Sequence, residues 1–223
     1  MKVAIEILSS LILICLGYVS TCVYLKNDCL KPFKLNDITV NTKPRLIYII
    51  FAVVASAVII ILFNTLYASN SMVHSLKLLA LIECIIPMAA VDHRKHKIPN
   101  QFLLFAFGLR VVFYIIEFII SVSSAFDILK DNVIGAAVIG VFFLLISLVF
   151  KNSIGMGDIK LFAIMGLYQG LWGAFNSVFF SLLVSFFLAI GLLITRKKKR
   201  KDAISFGPSI LLGTIIAIGL SGI

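Results

Sequence analysis

Leu76-Lys77-Leu78-Leu79-Ala80-Leu81-Ile82-Glu83-Cys84-Ile85-Ile86-Pro87-Met88-Ala89-Ala90-Val91-Asp92-His93-Arg94-Lys95-His96-Lys97-Ile98-Pro99-Asn100 is the stretch that decides the fold of this chain. It is an apolar run (76–91) that ends in a short basic turn (92–100), after which a second apolar run (101–122) departs. A helix needs ~20 apolar residues to cross a bilayer. An apolar run, a charged turn and another apolar run therefore read as two antiparallel membrane helices.

Working outward, the same alternation covers the whole chain. Apolar segments fall at 5–25, 46–67, 76–91, 101–122, 132–150, 159–170, 172–194 and 203–221. The sixth is too short to cross alone and reads as short or re-entrant. Of the 223 residues, 61% are hydrophobic, with a mean hydropathy of +1.11. This exceeds the apolar share of a soluble domain. The expected fold is all-α: a single polytopic membrane domain (1–223) of about eight helices. Within it, residues 1–67 form an N-terminal pair of spans and 76–221 a core. The first run reads as a retained span, because Glu6 interrupts it and its apolar part is too long for a cleaved signal.

Charge is scarce, at 13% of residues, yet sums to +10. It gathers in the loops at 26–45, 92–100 and 195–202, whereas the intervening loops hold only Lys130 among lysines and arginines. Positive charge marks cytoplasmic loops. Eight spans with both termini outside put Asp92 and Asp158 at the cytoplasmic face. The basic run Arg196-Lys197-Lys198-Lys199-Arg200-Lys201 reads as an anchor for anionic lipid. No nucleic-acid module is visible.

Metal and redox chemistry have little support. Cys15, Cys22, Cys29 and Cys84 form no Cys-x-x-Cys pair, and His93 and His96 sit in a lysine-rich turn that is a poor cation site. No metal or cofactor is expected. Four charges fall inside apolar segments. Measured from the turn at 92–100, Glu83 and Arg110 both lie ~13–14 Å deep, and Lys77 and Glu117 ~22–24 Å. Unpaired charge at such depth is costly, so two interhelical ion pairs are expected, Glu83–Arg110 and Lys77–Glu117.

The second aspartate stands in Gly155-Met156-Gly157-Asp158-Ile159-Lys160-Leu161. Taken singly, Asp158 reads as a helix N-cap and Asp92 as a polar helix exit. Pro99 suits the start of the next helix. Together they suggest a pair. Glycines flanking Met156 leave the backbone open to an extended peptide, which could add there as a strand. Two like charges at ~4 Å repel by ~4 kcal/mol at an effective dielectric of ~20. That is enough to hold one shared proton near neutral pH, as peptide hydrolysis by two carboxylates requires. The pair titrates as a unit, so the proton is not assigned to either residue.

At these residues the chain resembles the type IV prepilin peptidases, which belong to the GxGD intramembrane aspartic proteases. The Asp92 segment with Ile98-Pro99-Asn100 is similar to the family's first aspartate motif, and Gly155 to Leu161 to its second. Ser205-Phe206-Gly207-Pro208 resembles its Phe-Gly-Pro stretch, and Gly17 to Tyr24 the segment that ends its first span. The resemblance implies catalysis by Asp92 and Asp158 in a peptidase core at 76–221. It also implies prepilin-like precursors as substrates, cleaved on the cytoplasmic side between a basic leader and an apolar helix. Many members carry an insert with two Cys-x-x-Cys pairs and also methylate the new amino terminus. Here residues 26–45 hold Cys29 alone, so methyl transfer is not expected. A catalytically silent scaffold for pilin-like helices and a small transporter are the alternative readings.

Overall fold

A computed structural model describes residues 2–27, 43–150, 154–194 and 205–222. The loop holding Cys29, Lys151 and the 196–201 basic run lie outside the described residues. Among the described residues the chain is entirely helical, with α1 (Lys2–Asn27), α2 (Lys43–Thr65), α3 (Met72–Lys95), α4 (Asn100–Ile120), α5 (Val122–Val149), α6 (Met156–Ile194) and α7 (Gly207–Ser221). Helices α1 to α6 are long and apolar enough to cross a membrane. The chain is a multi-pass membrane protein.

Helix α3 is the axis of the bundle. Within its apolar stretch 78% of residues are buried, against 17–33% for the other five. It packs on α1, α2, α4, α6 and α7. The outer helices turn Leu8, Ile61, Leu104, Phe142 and Phe187 outward, as expected where the surrounding solvent is hydrocarbon.

Two boundaries differ from the sequence reading, for a common reason. Hydropathy ends a segment where charged and polar residues gather, whereas the helical backbone ends only where its dihedrals change. Helix α3 runs past Asp92 to Lys95 and stops at His96, which adopts a left-handed conformation with φ 51°. Asp92 is therefore a buried helical residue and not part of a turn. Helix α5 begins at Val122, about ten residues earlier than expected, and Ser121 alone separates it from α4. The loop expected near 121–131 is helical, with Phe118 and Phe126 meeting edge to face across the break.

Helix α6 breaks where the sequence reading ends its sixth segment. Gly170 interrupts it with φ 71° and ψ −172°, a conformation only glycine adopts readily. The short sixth segment is the leg before this break, ~20 Å long at ~1.5 Å per residue. The chain then folds back. Ser177 Oγ donates to Gln169 Oε1 across the break at 2.7 Å, and Ser181 Oγ donates to Ile210 O in α7 at 3.3 Å. Ile210 lies one turn below Gly207, which is bonded to Asp92. A straight α6 would carry Ser181 ~35 Å from Asp158. Only a reversal at Gly170 returns it to that level. The α5–α6 crossing is equally tight: a Cβ on Gly135 would sit 2.6 Å from the Gly170 carbonyl carbon.

At the end opposite Asp92, the carbonyls that close α7 are taken up by neighbours. Tyr67 Oη donates to Gly219 O, Asn70 Nδ2 donates to Gly222 O, and the His74 ring pairs with the same Gly222 oxygen. Lys2 Nζ reaches Asn70 O there, so α1 starts where α7 finishes.

Candidate active site

Asp92 sits three residues before the last residue of α3 and is only 6% exposed. Its Oδ2 accepts two hydrogen bonds, from the Gly207 amide and from Ser205 Oγ, each 2.7 Å long. Gly207 opens α7, so its amide is one of the donors that a helix start leaves unpaired. A carboxylate is a favoured partner at that position. The close approach requires glycine: a Cβ there would lie 2.9 Å from Asp92 Cβ and 3.1 Å from Ala89 Cα. Pro208 follows inside the first turn, where a missing amide costs nothing. Phe206 precedes it, with its ring 5.9 Å from that of Phe162 on the first leg of α6.

Asp158 occupies the first turn of α6 and is half-buried. Its amide donates to Gly155 O at 3.0 Å, which winds the glycine motif directly into the helix. Met156 stands 56% exposed at the mouth of this turn. The motif docks on the segment that follows Asp92. A Cβ on Gly157 would come 3.0 Å from Ile98 Cβ, and Lys160 Nζ donates to Asn100 Oδ1 at 3.0 Å. Pro99, extended at φ −69° and ψ 134°, starts α4 beneath that contact. The charges of Asp92 and Asp158 are near enough to act on each other. The three motifs thus meet at one end of the bundle, although Asp92 and Asp158 are 66 positions apart in the sequence.

Of the two contacts expected between buried charges, one is formed. Lys77 Nζ lies 3.6 Å from Glu117 Oε1. The expected Glu83–Arg110 pair is not formed. Glu83 accepts hydrogen bonds from Ser10 and Ser56, on α1 and α2, and Arg110 Nη2 instead lies 3.0 Å from Glu117 Oε2 on its own helix. Helical angles explain the correction. At ~100° per residue, Arg110 and Glu117 fall within ~20° of one stripe of α4, whereas Lys77 and Glu83 lie ~120° apart on α3. Matching depths cannot bring both α3 charges to a single stripe of α4. Arg110 also stacks on Tyr114, with its guanidinium carbon 3.7 Å from the ring centroid.

Two features carried no signal in the sequence. One is the Ser205 bond to Asp92, which joins positions 113 residues apart. The other is the donation from Arg110 Nε to Leu167 O at 2.7 Å. The cysteines are dispersed, with Cys84 buried and Cys15 exposed. His93 is exposed in the last turn of α3.

Residues 78–194 match the type IV leader peptidase family, a stretch that contains both aspartate motifs and amounts to more than half of the chain. The chain belongs to the type IV leader peptidase family. It is also 28% identical, over 136 residues, to a protein of Bacillus subtilis (strain 168) named prepilin leader peptidase/N-methyltransferase. That similarity covers 61% of this chain and 52% of the relative, so the chain spans about half the length of the relative it matches. No solved structure matches it. Within this leader peptidase family member, the matched region takes in α4, α5 and α6 and most of α3, and it stops short of α7, which supplies Gly207 to Asp92.

Proposed function

We propose that this chain is a membrane aspartic endopeptidase. It removes the basic leader from type IV prepilin-like precursors at the cytoplasmic face of a prokaryotic cell membrane, with both termini on the other side. The observation that supports the reading is that both aspartate motifs and the Gly207 stretch meet at one end of the bundle, with Gly207 on Asp92 and Gly157 against Ile98. The ionised partner takes a proton from water, which attacks the scissile carbonyl. The protonated partner donates to the carbonyl oxygen, giving a gem-diol; as the C–N bond breaks, it takes that proton back from the hydroxyl while the other partner passes the water proton to the leaving amine. Asp92 Oδ2 is engaged by Gly207 and Ser205, which leaves Oδ1 for water or substrate. The glycine turn, with Gly155 and Met156 exposed, offers backbone for an extended peptide.

Methyl transfer is not part of this proposal, because residues 26–45 lack the Cys-x-x-Cys pairs associated with it in the resemblance. One observation favours a second reading. Asp92 caps α7, a role a non-catalytic scaffold would equally need. Incubating purified chain with a prepilin-like precursor and S-adenosylmethionine separates these readings. Mass spectrometry should find the leader released and the new amino terminus unmethylated. Asp92→Asn and Asp158→Asn should each release none. Normal cleavage by either variant would end the two-aspartate reading, and a methylated product would end the peptidase-only reading.

A further inference from the structure

The two helices that carry the aspartates are linked again at depth, by buried charge. The first leg of α6 holds Asp158 near its start and ends at the Gly170 break. In a continuous helix, Leu167 O would accept from the amide four residues on. The break removes that partner, as at any helix end. Two side chains of α4 replace it: Arg110 Nε at 2.7 Å and Tyr114 Oη at 3.2 Å both donate to Leu167 O. The next residue is held as well, since Tyr168 Oη donates to Ala106 O at 2.8 Å. A guanidinium at a helix C-terminus also meets the negative end of the dipole.

The linkage continues to α3. Arg110 is fully buried and binds Glu117 at 3.0 Å, and Glu117 in turn faces Lys77 of α3 at 3.6 Å. Asp92 lies on α3 and Asp158 on the gripped leg. We propose that Arg110 is a positioning residue: with Glu117 and Lys77 it fixes the axial register of the first leg of α6 against α3, and thereby the spacing of Asp158 from Asp92. The proposal rests on the two-aspartate reading for its effect on cleavage, but the spacing itself is measurable without substrate.

Arginine suits the task because one planar fork reaches the Leu167 carbonyl through Nε and the Glu117 carboxylate through Nη2. A lysine ammonium is a single point and cannot hold both partners in that geometry. The effect should appear in turnover more than in binding, since a displacement of ~1 Å far from the chemistry can cost ~100-fold in rate. Glu83 is the natural comparison. It is also a buried charge on α3, but its partners Ser10 and Ser56 lie on α1 and α2, away from α6.

The test uses the full chain in lipid with its own cysteines replaced. Spin labels at Arg94→Cys and Met156→Cys report the spacing of the α3 and α6 ends, and kcat and KM are measured on a prepilin-like precursor without the labels. Arg110→Gln should shift or broaden the label distance. It should also lower kcat per folded molecule on the order of 100-fold while KM moves less than about twofold. Arg110→Lys should fall between it and wild type, and Tyr114→Phe should show a smaller shift in the same direction. Glu83→Gln should change neither the distance nor kcat per folded molecule. If Arg110→Gln does not fold, Arg110→Lys and Tyr114→Phe carry the test. An unchanged label distance in the Arg110 variants that fold, or an equal loss in Glu83→Gln, overturns the proposal. Failure of wild type to cleave would instead refute the enzymatic reading, and the label distance would still decide the clamp.

Discussion

At the deep end of α4, Lys77, Arg110 and Glu117 bring opposite charges together until they largely compensate, and the helix carbonyl at Leu167 takes up part of the remaining positive charge. At the other end of the same helices, Asp92 and Asp158 bring like charges within reach of each other, and the two donors on Asp92 Oδ2 are neutral, a serine hydroxyl and a backbone amide. The first arrangement lowers the cost of buried charge and can only hold helices in place. The second raises that cost, which is the condition the proposed shared proton requires. A charge cluster that compensates itself and one that does not thus differ in what surrounds the carboxylates more than in how deeply they are buried.

Charge reversal at Glu83 should break this contrast most severely. Glu83→Arg places a cation among Ser10, Ser56 and apolar neighbours and should destabilise the fold by about 3–5 kcal/mol, read from thermal unfolding in detergent. Adding Arg110→Glu should not rescue it, because the two residues do not meet. Restored stability in the double variant would reinstate the pairing expected from depth alone. Gly207→Ala comes next. The new methyl would press on Asp92 and on the Ala89 backbone, costing about 1–3 kcal/mol. It should also slow cleavage strongly, since the Asp92 carboxylate must move. A variant that keeps wild-type turnover would show that Asp92 has slack.

Ser56→Ala should cost about 1 kcal/mol by removing one donor from Glu83, with cleavage per folded molecule unchanged. A fall in turnover would tie Glu83 to the reactive end. Lys160→Ala should have the smallest effect, about 0.5 kcal/mol or less, because its bond to Asn100 is exposed. A larger loss in thermal unfolding would give that surface contact a role in docking the glycine motif.

Much of the architecture was legible from hydropathy, because each crossing needs a run of apolar residues and each turn gathers charge. The break after the sixth segment was legible for the same reason: the run before Gly170 is too short to cross alone. Hydropathy misplaced the ends of α3 and α5, where helices continue through Asp92, Asp127 and Lys130. For the site, the residue types and order of the motifs indicated which segments matter. Their meeting, through Gly207 on Asp92 and Gly157 on Ile98, depends on contacts between distant segments that local patterning does not encode. Depth counting placed the buried charges at matching levels but ignored rotation about the helix axis, and rotation decides that Arg110 turns to Glu117 while Glu83 turns to two serines.

Whether Asp92 and Asp158 act as one unit is tested most directly by single-turnover cleavage of a prepilin-like precursor by Asp92→Asn, Asp158→Asn and the double variant. Groups that share one proton and one water lose their function together, so each single variant should fall about 10³-fold or more and the double should fall no further than the worse single. Independent, multiplying losses in the double variant, or a single variant that retains wild-type turnover, would contradict the account.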